Sequence, residues 1–147
     1  MKASLLLVDD DPSVSSALGN LLSAEGYRVV YACNGRAAIS AMATHGRPGL
    51  VLLDLCMPEM GGWDTFERLT AMDPSLPIVV ITARPDQQTL AAVAGVDALL
   101  EKPLNVALLL KTIRMLLAED PVARRARIAA QSRGPTRLRS KRRQTTG

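Results

Sequence analysis

The chain opens on an unbroken apolar run, Leu5-Leu6-Leu7-Val8, that stops at three consecutive aspartates, Asp9-Asp10-Asp11. A second run, Leu50-Val51-Leu52-Leu53, stops at Asp54. Neither run alternates with polar residues, so both predict strands buried on two faces, as in a parallel sheet covered by helices. Between them the period changes. Asp11-Pro12 reads as an N-cap followed by proline at the first helical position, and Val14, Leu18, Leu21 and Leu22 then recur at helical spacing up to Gly26. Residues 28–32 predict a second strand, ended by Asn34-Gly35, and Ala38, Ile39 and Met42 suit a short helix. After the third strand at 50–53, Trp63, Phe66 and Leu69 mark another helix. Residues 78–81 form a fourth apolar run, closing at Thr82. A short helix over about 86–94, with Leu90 and Val93 inward, precedes a brief fifth strand at 98–100. The last helix runs from 105 to about 119, with a core stripe of Val106, Leu109, Leu110, Ile113 and Leu117.

Five strands alternating with five helices predict an α/β fold, a parallel sheet joined by right-handed crossovers. In such sheets ligands bind beyond the carboxyl ends of the strands. Asp9, Asp10 and Asp54 would meet there. Three like charges in one crevice repel, which calls for a cation among them.

Composition narrows the picture. A chain of 147 residues holds one good core. Its apolar runs are far too short for a membrane span, and the one beside Met1-Lys2-Ala3 is too short for a signal-peptide core. Cys33 and Cys56 read as reduced thiols of a cytoplasmic protein, and a lone His45 without a CxxC pair argues against zinc. The charge is sharply divided. Residues 1–120 hold all 14 acidic residues and nine basic ones, a net charge of −5, while residues 121–147 hold nine basic residues and no acid. That division predicts a domain over 1–120 and a basic tail over 121–147 that is disordered on composition, although 122–131 could extend a helix.

Several spaced motifs now stand in order: Val8-Asp9-Asp10-Asp11-Pro12, Leu53-Asp54-Leu55-Cys56-Met57-Pro58, Gly61-Gly62, Ile81-Thr82-Ala83 and Glu101-Lys102-Pro103. Together they make residues 1–120 resemble the response-regulator receiver domain of two-component signalling. The resemblance implies a doubly wound, flavodoxin-like sheet of order 2-1-3-4-5, as in the chemotaxis receiver, with its crevice between strands one and three. It further implies that Asp54 is the phosphoacceptor, taking a phosphoryl group from a sensor histidine kinase or phosphotransfer protein. Asp10 and Asp54 would bind Mg²⁺ through their carboxylates, Cys56 through its backbone carbonyl, and Asp9 through a metal-bound water. Mg²⁺ suits hard oxygen ligands and keeps several waters. Lys102 and Thr82 would each hold a phosphoryl oxygen, and Lys102-Pro103 would be cis. On charge alone, Mg²⁺ and Lys102 together balance the three carboxylates. Asp11 is left to cap its helix. Gly61 and Gly62 read as turn residues.

The chain also departs from the family's pattern. Receivers usually carry an aromatic switch residue on strand five, where this chain has Leu99. Arg84, two residues past Thr82, is placed to fold over the phosphoryl group and slow hydrolysis. Residues 121–147 are too short for a winged helix or a nucleotide cyclase, so the leading expectation is a receiver that acts by phosphorelay or docking and catalyses only its own phosphorylation and dephosphorylation. The face made by the fourth helix, the fifth strand and the last helix, with Leu108 and Met115 exposed, is a candidate homodimer or partner surface. The alternative is non-specific nucleic-acid binding by the basic tail, which would weaken steeply with salt and, lacking aromatics, would read sequence poorly. A phosphohydrolase using Asp54 is disfavoured because Cys56 stands where a second acid would be needed.

Overall fold

A computed structural model describes residues 3–55, 61–83 and 96–132. Five parallel strands, β1 (Ser4–Val8), β2 (Arg28–Ala32), β3 (Leu50–Asp54), β4 (Ile78–Thr82) and β5 (Ala98–Glu101), form one sheet of order β2-β1-β3-β4-β5. Among the described residues the helices are α1 (Pro12–Ala24), α2 (Gly35–His45), α3 (Gly62–Met72), α4 (Val106–Ala118) and α5 (Pro121–Ser132). The helix expected over 86–94 lies outside the described residues.

The missing alternation in the strands has a direct cause. Successive side chains of a strand point to opposite faces, and here both faces are covered. Leu6, Val8, Val51, Leu53 and Val80 pack on one side with Ala38 and Ala41 of α2 and Leu69 of α3. Leu5, Leu7, Leu50, Leu52, Val79 and Ile81 pack on the other with Leu18 and Leu22 of α1 and Leu109 and Ile113 of α4. β3 and β4 are buried at every position, whereas β2, at the edge, keeps Arg28 and Tyr31 exposed. Removing one of these buried leucines to alanine costs about 2–5 kcal/mol, so the covered centre fixes the register on which the site depends.

Local chemistry ends the helices where the sequence indicated. The Asp11 carboxylate accepts the N–H groups of Ser13 at 2.9 Å and Val14 at 3.4 Å, capping α1. Asn34 caps α2 by accepting from Ala37 at 2.8 Å, and Asn105 caps α4 by accepting from Leu108 at 3.0 Å. Val106 departs from the expected core stripe: it is 45% exposed. Residues 105–108, the cap and first turn of α4, all face solvent, and the buried contacts begin at Leu109. Leu108 and Met115 are exposed as expected.

The sequence allowed a helix over 122–131 at the start of the basic tail, without saying what would anchor it. Residues 121–132 form α5, and two of its arginines bind the domain. The Asp97 side chain is 1% exposed, and its carboxylate faces Arg124 Nε at 2.9 Å and Arg127 Nη2 at 2.6 Å. Asp97 also accepts the Ile78 N–H at 2.8 Å, at the start of β4. Arg124 donates further to the carbonyls of Pro74 at 3.0 Å and Leu76 at 3.1 Å. Arg127 makes a second pair with Glu119, Nε to Oε2 at 2.9 Å and Nη2 to Oε1 at 2.8 Å. The physical reason is that a buried carboxylate needs a cationic partner, and α5 brings two. Two of the nine basic residues assigned to the tail are therefore committed to the fold.

Candidate functional site

The carboxyl ends of β1 and β3 lie side by side, because Val8 pairs with Leu53 in the parallel register. The residue after β1 is Asp9, and the last residue of β3 is Asp54. The Asp9 N–H donates to the Ala32 carbonyl at 3.0 Å, extending the β1–β2 ladder by one residue. The Asp11 N–H then donates to Asp9 Oδ1 at 2.9 Å and turns the chain into α1. Beyond Asp54, the Leu55 N–H donates to the Ile81 carbonyl at 3.0 Å, which holds the end of β3 against β4.

Carboxylate oxygens of Asp9, Asp10 and Asp54 lie within 4.8 Å of one another. Asp9 and Asp54 are buried and Asp10 is exposed, so the cluster opens to solvent on one side. Burial pushes the Asp9 carboxyl above its ordinary range, and the charges of Asp54 and Asp10 push the same way. The Asp11 N–H and the Lys102 ammonium act against that rise. Lys102 Nζ lies 3.3 Å from Asp54 Oδ2. It is delivered from just beyond β5, where the Lys102 N–H donates to the Thr82 carbonyl at 2.8 Å and the Lys102-Pro103 peptide is cis. Thr82, at the end of β4, is buried opposite Glu101. The site thus gathers Asp9, Asp10, Asp54 and Lys102, with Thr82 on the neighbouring strand end. Cys56 and Arg84 lie outside the described residues.

The donor set fits a hard divalent cation. Three oxygen-donating carboxylates converge, two of them buried, and a buried anion cluster is stable only when charge-compensated. One ammonium compensates one of three negative charges.

Gly62 serves a purpose the sequence reading did not give it. A Cβ there would fall 2.5 Å from Leu55 Cα. The start of α3 therefore packs directly on the backbone that follows Asp54, and glycine is needed for close approach rather than for a turn. Sequence reading also missed an open cavity of about 450 Å³ bordering the acid pair, lined by Asp9, Asp10, Pro12, Ser15, Ser16, Tyr31, Ala32 and Cys33. The one available signal was that β2 ends beside β1. Leu99, on β5, is partly buried and packs against the cluster that holds Val80 and Val96.

The family model for the response regulator receiver domain matches residues 5–114. The chain belongs to the response-regulator receiver family. This receiver is 38% identical over 119 residues to the response regulator MprA of Mycolicibacterium vanbaalenii, a match covering 80% of this chain and 51% of the relative. It is 36% identical over 142 residues to the transcriptional regulatory protein GlrR of Escherichia coli, covering 93% of this chain and 32% of that protein. The chain thus spans about half the length, or less, of such curated relatives. Among solved structures, a CheY-like receiver domain protein from Methanospirillum hungatei superposes with a TM-score of 0.75 at 26% identity, covering 80% of this receiver and 94% of that chain. The response regulator TrrA of Thermotoga maritima, solved in complex with Mg²⁺–BeF, gives a TM-score of 0.72 at 26% identity, covering 78% and 99%. The receiver is a two-component signalling domain, and no helix among its described residues is long and apolar enough to cross a membrane.

Proposed function

We propose that Asp54 is the phosphoacceptor of this receiver, taking a phosphoryl group from the phosphohistidine of a sensor kinase or phosphotransfer protein in the cytoplasm. The observation that carries the proposal is the setting of Asp54: a buried carboxylate at the end of β3, 3.3 Å from Lys102 and clustered with Asp9 and Asp10. One Asp54 oxygen attacks phosphorus, forming the O–P bond as the P–N bond to the partner's imidazole breaks. The electron pair of that bond leaves with the imidazole. Phosphoryl transfer depends chiefly on positioning and on neutralising charge. β3 positions Asp54 rigidly, and Lys102 shifts its attraction from the carboxylate to a phosphoryl oxygen. Thr82, one strand over, offers a hydroxyl to a second phosphoryl oxygen. Asp9, Asp10 and Asp54, with the Cys56 carbonyl, would hold Mg²⁺, which when bound supplies the remaining positive charge and orients the phosphoryl oxygens. In dephosphorylation water attacks phosphorus as the bond from phosphorus to the Asp54 oxygen breaks, the electron pair returns to the carboxylate and inorganic phosphate leaves with the water's proton; the same residues thus serve the receiver's own phosphorylation and dephosphorylation.

The test is intact mass after incubation with a small-molecule phosphodonor and Mg²⁺. Wild type gains one phosphoryl group, and Asp54→Ala gains none. A phosphoryl gain in Asp54→Ala equal to wild type would overturn the assignment.

A further inference from the structure

We propose that this receiver carries a second ligand site, for a small organic anion with an apolar body, at the end of the sheet opposite the phosphoacceptor. A cavity of about 500 Å³ lies there, between the start of β3 and the junction of α4 with α5. That volume falls in the range of small-molecule sites. Its apolar wall includes Gly49, Pro77, Leu116, Leu117 and Pro121. The wall is closely fitted: a Cβ on Gly49 would meet Ala3 Cβ at 2.9 Å and Leu117 Cδ2 at 3.1 Å.

The charge around this wall is one-sided. Arg47, Arg124 and Arg125 line the cavity against one carboxylate, Glu119. That carboxylate is already engaged by Arg127 on both oxygens, which holds its pKa below the ordinary carboxylate range. Arg47 and Arg124 are likewise paired, with Asp73 and Asp97, so Arg125 is the one lining charge without a partner among the described residues. Each guanidinium has five N–H donors. Arg47 uses three, on Asp73, the Pro48 carbonyl and Ser75. Arg124 uses four, two on Asp97 and one each on the carbonyls of Pro74 and Leu76. Arg125 uses none on the described residues. An apolar recess rimmed by uncommitted guanidinium donors is complementary to a carboxylate, sulfonate or phosphate attached to an aromatic or aliphatic body. Arg125 is the residue that selects the charge, and the apolar wall selects the body. Because α5 supplies one side, an occupant also bridges α5 to the sheet.

The full chain is titrated with 8-anilinonaphthalene-1-sulfonate and, separately, with the uncharged parent N-phenyl-1-naphthylamine, with backbone amide shifts recorded alongside. The sulfonate is expected to bind one per chain, at least tenfold tighter than its parent, with shifts centred on Ala3, Gly49, Leu116 and Leu117. Arg125→Ala, an exposed change, should weaken the sulfonate three- to tenfold and leave the parent unchanged. Ala3→Phe, which fills the recess, should abolish both. Equal binding of the two probes, shifts centred on Asp9 or on residues 133–147, or an Arg125→Ala variant that binds like wild type would each overturn the proposal. If Ala3→Phe does not fold, the Arg125→Ala comparison and the shift map still decide it. Phosphorylation of Asp54 is read independently by mass, so failure of either site leaves the other standing.

Discussion

Cutting the chain after Asp120 removes both guanidinium groups that face the Asp97 carboxylate. Among the described residues, what remains to that carboxylate is the Ile78 N–H at 2.8 Å. The side chains of Asp97 and Arg124 are 1% and 11% exposed, so the pair belongs to the buried class. Breaking such a pair by removing one partner costs about 3–5 kcal/mol. Water entering after the cut restores part of the hydration, which places the expected loss near the lower end, about 3 kcal/mol. Apolar burial adds less, since Pro121, Val122, Ala123, Ala126, Ala129 and Ala130 face solvent and only Ile128, among the helix's described apolar side chains, is partly buried. An unfolding entropy of about 2.1 cal/mol/K per residue gives about 0.25 kcal/mol/K for a domain of roughly 120 residues, so the melting midpoint should fall by about 12 °C. Calorimetry of the full chain and of residues 1–120 measures this directly. A double-mutant cycle isolates the cause: Arg124→Met and Asp97→Asn together should cost less than the sum of the two alone by at least about 1.5 kcal/mol. A truncated chain that melts within about 2 °C of the full one, or a coupling below about 0.5 kcal/mol, would refute the clamp.

Three further outcomes are expected. Arg127 holds Glu119 below its ordinary pKa of 4.5; a lowered folded-state pKa adds stability above the ordinary value and loses it as pH falls through the folded one. Below about pH 4.5, wild type should therefore lose stability more steeply than Glu119→Gln, and parallel acid melting curves would refute the pairing. A Cβ at Gly19 would lie 1.9 Å from the Tyr31 hydroxyl, yet that ring is half exposed and can swing away. Gly19→Ala should then stabilise α1 by up to about 1 kcal/mol, and a loss of stability in urea unfolding would show that Tyr31 is held in place. With Leu99 where an aromatic switch is usual, amide exchange over residues 83–110 should slow only weakly when beryllofluoride is added with Mg²⁺; strong protection there would show that leucine transmits the switch fully.

The strands and most helix limits were legible because their causes are local. An apolar run without alternation has one stable setting, a sheet covered on both sides, and Asp11-Pro12 caps α1 with atoms two and three residues away. The meeting of Asp9 with Asp54 was legible as well, since both follow strands of one parallel sheet whose ligand crevice lies at those ends; the strand order that makes the two neighbours came from the family resemblance. What stayed hidden depends on pairings across the fold. Val106 fits the helical stripe by spacing, and only the three-dimensional position of the first turn of α4 exposes it. Arg124 and Arg127 sit in a segment that could be read as a helix but not as an anchored one, because their partner is 27 and 30 residues earlier in the chain. A signal did exist: Asp97 interrupts an otherwise apolar stretch, Val96 to Leu100, and a carboxylate embedded there requires a cation from somewhere. Gly62 was legible as a glycine but not as a contact, because its neighbour Leu55 lies on a different element.

The acid cluster draws on two strands that are consecutive in the sheet but not in the chain, since β2 lies between them in sequence. No segment shorter than the span from Asp9 to Asp54 can assemble it, so the crevice comes into being only when β1 closes onto β3. That closing step forces carboxylates together while it brings leucines into register, so the charge repulsion acts as a brake on the central pairing of the sheet. A divalent cation would have little to bind in the unfolded chain and would relieve the brake once the strands meet. A cation held there, as proposed, would favour the closed pairing of β1 with β3 over the unfolded chain whether or not a phosphoryl group is present.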